Sequence, residues 1–337
     1  MSNSEHLVSV IVPALNCARF IGRTLQSIAS QSHRRIEIIV VDDGSDDDTP
    51  NIVASYARSD PRIRLFSRNH GGAPAARNFA ASQARGAFLA PCDSDDLWHP
   101  EKIALQLAVL CSSPAGVGVA YCWSVGIDEE DAVIVPNWAR GTEEGDVLYA
   151  MMVNSLPGSG SSPLIRRSCF DAAGGYPEDV PNADEWQLYI ALAAICEFAV
   201  VRKHLVGYRF RRGQISSNVT GMADSLARTT RWLVSKWPDV PPWVLRRRTY
   251  MVNCYLAFLA ARRRRFLSAV RYRFSAWAAQ PGEVLSLSTM DFFLLMVGQA
   301  LRIERYYYCF WRSPVTWEPA RSLRDDRSPA GADASAG

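Results

Sequence analysis

The sequence predicts an α/β protein: a mostly parallel central sheet flanked by helices, followed by a helical extension. Three observations carry this. β-branched apolar runs alternate with segments of helical period at βαβ distances through the first 110 residues. The 337 residues are 48% hydrophobic and 21% charged, a balance that excludes collagen-like, disordered and disulfide-framework chains. The charge is also divided unevenly. Residues 1–221 carry 19 Lys+Arg against 25 Asp+Glu, whereas residues 222–337 carry 18 against 9. The expected division is therefore one α/β domain over 1–220, a basic helical extension over 221–320 and a small, polar, disordered tail over 321–337.

In chain order, Val8–Val12 and Ile36–Val41 are β-branched runs that read as buried strands, each followed by polar turn residues. Between them Ala18–Gln31 places Phe20, Ile21, Leu25 and Ile28 at helical spacing. Asp48, Thr49 and Pro50 open a helix through Tyr56. Ile63–Phe66 is a short strand, Ala73–Ala84 a helix and Ala87–Cys92 a strand, and Pro100–Leu110 a helix with Ile103, Leu105, Leu107 and Leu110 as apolar positions. Beyond residue 120 the pattern loosens into Gly- and Ser-rich loops with one clear helix, Trp186–Ile195. Trp243–Ala261 and Phe266–Ala279 then read as a helical hairpin stopped by Pro281-Gly282.

The eight cysteines form no CxxC pair and mostly sit in apolar runs, which predicts buried free thiols in a reducing compartment and no structural zinc. The N-terminal apolar run lacks a basic leader and is cut by Pro13, so it does not read as a signal peptide. Two long uncharged stretches, 103–127 and 147–165, are broken by Pro- and Gly-containing turns into pieces too short to span a bilayer. Phe292–Leu301 is uncharged but only ten residues long. A cytoplasmic location is expected, with attachment to the inner membrane face left open.

Ligands of open parallel sheets bind at the carboxyl ends of the strands. Three acidic groups fall in such loops or at a helix start. Asp42-Asp43 ends the second strand, where carboxylates either accept hydrogen bonds from a base or ribose or simply shape a turn. Asp93-Ser94-Asp95-Asp96 follows the strand at 87–92. In extended backbone Asp93 and Asp95 share a side, and two hard oxygen donors suit Mg²⁺ or Mn²⁺ when substrate phosphates complete the shell. The alternative makes Asp95 or Asp96 a cap for the Pro100 helix. Asp184-Glu185 precedes the helix at Trp186, either as acidic residues at a helix N-terminus or as a general base.

Taken together, SVIVPALN, EIIVVDDGSDDDT, Gly71-Gly72-Ala73-Pro74-Ala75-Ala76-Arg77-Asn78, ARGAFLAPCDSDDLW, GGYPE and ADEWQLYIALA occur in that order. Over roughly residues 7–217 the chain resembles the family 2 glycosyltransferases, whose fold is GT-A. The resemblance implies a nucleotide-diphosphate sugar donor, inversion at the anomeric carbon and a divalent metal, Mg²⁺ or Mn²⁺. It implies nucleoside contacts for Pro13 and Asp43 with Asp42 nearby, and a metal role for Asp93 and Asp95. Arg77 supports either the acidic loops or the diphosphate, unless it forms a purely structural salt bridge. The family usually has Glu-Asp where this chain has Asp184-Glu185. Its second position carries the base, which points to Glu185, with Asp184 as the alternative. Many relatives place a histidine where Arg211 stands.

The implied acceptor is a glycan or lipid-linked glycan, as in surface-polysaccharide assembly, recognised by residues 137–182. The segment Arg228–Trp232 is similar to the QxxRW signature of processive synthases but lacks the glutamine, so transfer of a single sugar is expected. Rival readings are a catalytically silent nucleotide-sugar-binding protein and a nucleotidyltransferase. The latter needs a Gly-rich phosphate loop that Pro13-Ala14-Leu15-Asn16 does not supply. Arg246–Arg248 and Arg262–Arg265 mark either a helical appendage packed on the first domain, which the alanine-rich spacing favours, or contact with an anionic membrane surface. No groove-reading motif accompanies these arginines, so nucleic acid is not an expected partner.

Overall fold

The computed structural model describes residues 6–180, 182–211, 213–214 and 218–284. The polar tail at 321–337 and the apolar run Phe292–Leu301 lie outside these residues. A nine-stranded sheet organises the chain. Its strands are β1 (Val8–Ala14), β2 (Ile36–Asp42), β3 (Ile63–Ser67), β4 (Phe88–Pro91), β5 (Leu97–Trp98), β6 (Val117–Ile127), β7 (Val133–Ala139), β8 (Leu164–Arg166) and β9 (Glu197–Arg209). The spatial order is β3-β2-β1-β4-β8-β6-β9-β5, with β7 paired to β6.

The first four strands form the parallel half, as their patterns predict: β1 pairs with β2 from Val8–Ile36 to Ala14–Asp42, and with β4 from Val8–Phe88 to Ile11–Pro91. All residues of β1 and β2 are buried, because both faces are covered. Alternation divides them. Val8, Val10 and Val12 face a core closed by α1 (Ile21–Ala29), α2 (Thr49–Ser59) and α4 (Lys102–Ser112), while Ile11, Ile39 and Val41 face α3 (Ala73–Gln83) and α7 (Asp184–Ala193). The far half is mixed. β8 is antiparallel to β4 and β6, β6 runs parallel to β9, and β5 pairs antiparallel with β9.

Two helices are shorter than their patterns. The expected Ala18–Gln31 helix begins at Ile21, because Cys17 C=O accepts from Phe20 and Ile21 N–H in an entering turn. The helix expected at Pro100 begins at Lys102, with Glu101 at its N-cap and no side-chain cap. The uncharged stretches resolve into α4 plus β6, and into α5 (Leu148–Val153) plus a loop. No helix among the described residues is long and apolar enough to cross a membrane.

Beyond α6 (Arg167–Ala173) and α7, the chain continues into α8 (Val219–Lys236), α9 (Pro242–Arg262) and α10 (Phe266–Ala279). α8 and α9 pack against the sheet layer instead of standing apart, and α10 packs on α9. Leu233, Val240 and Val244 join the core beneath α3 and α7, and Val219, Met222 and Leu256 enclose Val180 and Ala183. Buried Arg248 ties α9 to this layer by donating to Met152 C=O at 2.6 Å and to Thr230 Oγ1 at 2.9 Å, with its guanidinium over Trp186.

Candidate active site

The loops after β1, β2 and β4 and the start of α7 open into one cleft of about 970 Å³. Of the residues expected at a site, Pro13, Asp43, Arg77, Asp93, Asp95, Asp184 and Glu185 line it. Asp42 does not. As the last residue of β2 it is buried between Ala14 and Ser67, and its carboxylate accepts from Ser45 N–H at 3.3 Å, which is the turn-shaping role.

Asp43 reaches the cleft, but its carboxylate is already engaged. It accepts from Gly71 N–H at 3.0 Å and Gly72 N–H at 2.8 Å, and pairs with His70 at 2.8 Å and Arg68 at 3.4 Å. It thus fixes the Gly71-Gly72 turn that opens α3. Gly72 sits there at φ +91, where a side chain would be strained.

Arg77, on the second turn of α3 and 4% exposed, is the hub of the acidic cluster. Nη1 donates to Asp184 Oδ2 at 2.6 Å, and Nη2 donates to Asp93 Oδ1 at 2.6 Å and Glu185 Oε1 at 3.1 Å. Burial works against its charge, but the carboxylates of Asp184, Asp93 and Glu185 outweigh burial and hold the guanidinium well above its ordinary value. Both terminal nitrogens of Arg77 are engaged by carboxylates, while its buried Nε–H has no acceptor among the described residues.

Asp184 and Glu185 start α7 side by side but differ in setting. Burial and the negative charge of Glu185 push the Asp184 carboxyl well above the usual carboxylate range, against the pull of Arg77. Glu185 has a quarter of its side chain exposed. It shares Arg77 Nη2 with Asp93, and both carboxylates crowd Gly160. A Cβ there would lie 3.0 Å from Glu185 Oε1 and 3.1 Å from Asp93 Oδ2. Residues more than 90 apart in sequence, Asp93 and Glu185, therefore face one space.

Asp95 is paired with Arg211 Nε. Burial raises its carboxyl, Arg211 opposes this, and Asp93 adds to the rise. Asp96 caps no helix. It accepts from Ser161 Oγ at 2.6 Å and from Arg209 N–H at 2.9 Å, and burial together with Asp93 and Asp95 lifts its carboxyl well above the ordinary value. The sequence reading missed Arg209. This fully buried side chain donates to Asp95 C=O at 2.6 Å and Asp131 Oδ1 at 2.6 Å, and so locks the acidic loop to the β6–β7 turn.

Among the described residues no group of three or more His, Cys, Asp or Glu side chains forms a metal cage. The donor set nevertheless fits a hard divalent cation. Asp93 and Asp95 offer two carboxylates at the cleft, hard oxygen donors of the kind a divalent cation shares with phosphate oxygens.

The opposite wall is aromatic. Trp138 stacks on Tyr208 with centroids 5.3 Å apart and meets Phe210 edge-on at 4.8 Å, and its buried Nε1–H has no acceptor among the described residues. Met222 and Leu226 of α8 and Tyr255 and Phe258 of α9 complete this wall, which nothing but the i, i+3 spacing of Tyr255 and Phe258 announces in the sequence. Of the segment expected to recognise an acceptor, Trp138 and the Gly158–Ser159–Gly160 loop line the cleft. Tyr176 instead lies buried under Arg77, with its ring centroid 5.3 Å from the guanidinium. Arg228 and Arg231 of the synthase-like segment point to solvent on α8.

A mixed sheet of this order with an acidic cleft over its carboxyl edge is a GT-A fold. The chain superposes on the mannosyltransferase PcManGT from Pyrobaculum calidifontis in complex with GDP-Man and Mn²⁺ with a TM-score of 0.58 at 21% identity, covering 90% of this chain and 87% of that one. For S. aureus TarS 1–349 in complex with UDP the TM-score is 0.54 at 18% identity, covering 95% and 92%. Residues 9–168 match the family model of glycosyl transferase family 2. Chondroitin synthase from Escherichia coli is 28% identical over 199 residues, 58% of this chain and 28% of the synthase. The chain spans only 20–28% of the length of the chondroitin and hyaluronan synthases it matches.

Proposed function

We propose that the chain is an inverting glycosyltransferase that moves one sugar from a nucleoside-diphosphate sugar to a hydroxyl of a glycan or lipid-linked glycan. The observation that carries this reading is the convergence of Glu185 and Asp93 on Gly160, with Arg77 bridging them. A base and a phosphate-side acid loop then lie a short distance apart across one cleft. That family 2 covers residues 9–168, and that similar folds hold UDP or GDP-Man with Mn²⁺, supports a nucleotide-sugar donor. Similarity to chondroitin synthase supports a place in polysaccharide assembly.

In this reading Pro13 and the Asp43-anchored Gly72 turn receive the nucleoside. Asp93 and Asp95 would hold Mg²⁺ or Mn²⁺, which when bound neutralises charge on the departing nucleoside diphosphate. The acceptor hydroxyl lies against the aromatic wall. Glu185 takes its proton as the acceptor oxygen bonds to the anomeric carbon. The bond from that carbon to the phosphate oxygen breaks, and its electron pair leaves with the diphosphate. Such general-base help is worth ~10²–10⁴ in rate. Asp184 is the weaker candidate for the base, because its carboxylate is buried and committed to Arg77 at 2.6 Å.

The test begins with a thermal-shift screen of nucleoside diphosphates and their sugars with and without Mn²⁺, which identifies the donor class. In the assay it defines, Glu185→Gln should keep donor binding while turnover falls ~10²–10⁴-fold. Turnover within a few-fold of the parent would remove Glu185 from the reaction.

A further inference from the structure

The α9–α10 hairpin has two faces, and only one is used by the cleft. Tyr255 and Phe258 of α9 look into it. On α10, Leu267, Val270 and Phe274 occupy successive turns of one stripe and are 90%, 36% and 61% exposed. Three large apolar side chains in a row on an open helix face are unusual on a monomer's surface and mark a contact. Their surroundings carry one sign of charge. From residue 240 to 282 the chain has nine arginines and no lysine, aspartate or glutamate. Arg248 and Arg273 are buried and Arg247 pairs with Glu283. Arg263, Arg264, Arg265 and Arg271 are exposed, and they make no ion pair among the described residues. The first three form the turn immediately before the stripe, and Arg271 lies within it.

Arg264 supplies a second, independent observation. It adopts φ +56 at the end of α9, where Arg264 N–H donates to Ala261 C=O at 2.8 Å and Arg265 N–H to Ala260 C=O at 2.9 Å. Helix ends of this kind favour glycine. An exposed arginine holds a strained position here, with no ion pair among the described residues.

We propose that the Arg263–Arg265 turn and the Leu267–Val270–Phe274 stripe form a peripheral docking surface for an anionic lipid bilayer. The basic turn meets lipid headgroups and the apolar stripe enters the interface, as in amphipathic helices that lie in the membrane plane. Charge complementarity selects this occupant. A hairpin with no acidic residue from 240 to 282 repels a second copy of itself. Docking also brings the hairpin that walls the cleft to the lipid surface, where a lipid-anchored acceptor would be met.

The experiment is sedimentation of the full chain with phosphatidylcholine vesicles, with and without phosphatidylglycerol, at low and high salt. Binding is expected only with the anionic lipid and should weaken as salt screens it. Arg263→Ser/Arg264→Gly/Arg265→Ser should lose roughly a hundred-fold in affinity, about five-fold per arginine. This variant is expected to keep its fold, because glycine relieves the positive φ and serine suits the N-cap of α10. Arg264→Gly alone should raise Tm while lowering binding. Leu267→Ser/Phe274→Ser should abolish binding and leave Tm unchanged. Equal binding to neutral vesicles, or retained binding by either multiple variant, overturns the proposal. A fall in Tm in the stripe variant overturns it too, since the face would then be covered by this chain's own residues. So does a dimer on size exclusion that the stripe variant dissolves. None of these readouts depends on sugar transfer.

Discussion

Removing Arg77 would leave Asp93, Asp184 and Glu185 facing one another around a buried site without their shared cation. Breaking a buried ion pair from one side typically costs about 3–5 kcal/mol, because the remaining charge is desolvated and unpaired. Arg77→Met should therefore lower stability in urea by roughly that amount, and Asp184→Asn added to it should restore part of the loss. The pH dependence gives the sign independently. The folded-state carboxyl of Asp184 is raised by burial and by Glu185, so between the unfolded and folded values the folded state binds more protons, and stability falls as pH rises. Asp184→Asn alone should thus gain on the parent as pH climbs above the ordinary carboxylate range, and the gain should level out below it. A gain independent of pH would show that Asp184 titrates normally.

At the level of elements, the acidic loop after β4 is held from two sides, by Arg209 through Asp95 C=O and by Arg211 through the Asp95 carboxylate. A cation on Asp95 Oδ2 competes with Arg211. Arg211→Ala is therefore expected to bind Mn²⁺ roughly ten-fold more tightly in the absence of nucleotide, the scale of one partly buried ion pair, and Asp95→Asn to bind it more weakly. Calorimetric titration with Mn²⁺ measures both, and unchanged affinity in Arg211→Ala would separate Arg211 from the metal site. The elements that carry the loops were legible because local signals define them. The β-branched runs give β1, β2 and β4, the Gly72-Ala73-Pro74 start gives α3, and the acidic start gives α7. β5 was not legible, since two residues carry no period and Leu97 is a strand residue only because Gly207 pairs with it. Asp96 likewise looked like a cap, because its partners Ser161 and Arg209 lie 65 and 113 residues away. Acid-rich loops announce a site, but which acid faces the ligand depends on long-range partners that spacing does not encode.

For the whole molecule, the change in composition near residue 221 reads as a domain boundary, and the packing argues for joint stability instead. Leu233 and Val244 bury against the same layer as Ile39 and Tyr189, and Val219, Met222 and Leu256 cover Val180 and Ala183 beside the start of α7. A chain ending at residue 220 would uncover Val180 and Ala183 beside the start of α7 and strip Met222, Leu226, Tyr255 and Phe258 from the cleft wall. Burying one large apolar side chain contributes about 1.5–3 kcal/mol, and several are lost together, against a total domain stability of only about 5–15 kcal/mol. The expected outcome is that residues 1–220 alone lack a cooperative thermal transition. In the full chain, tryptophan fluorescence, with Trp232 and Trp237 reporting on the α8 region, and far-UV circular dichroism, dominated by the whole fold, should follow one shared urea transition. A 1–220 fragment that melts cooperatively at the parent's temperature, or two separated transitions in the full chain, would make the helical extension an independent domain. Its aromatic residues would then belong to a removable wall of the cleft and not to the folding unit that builds the site.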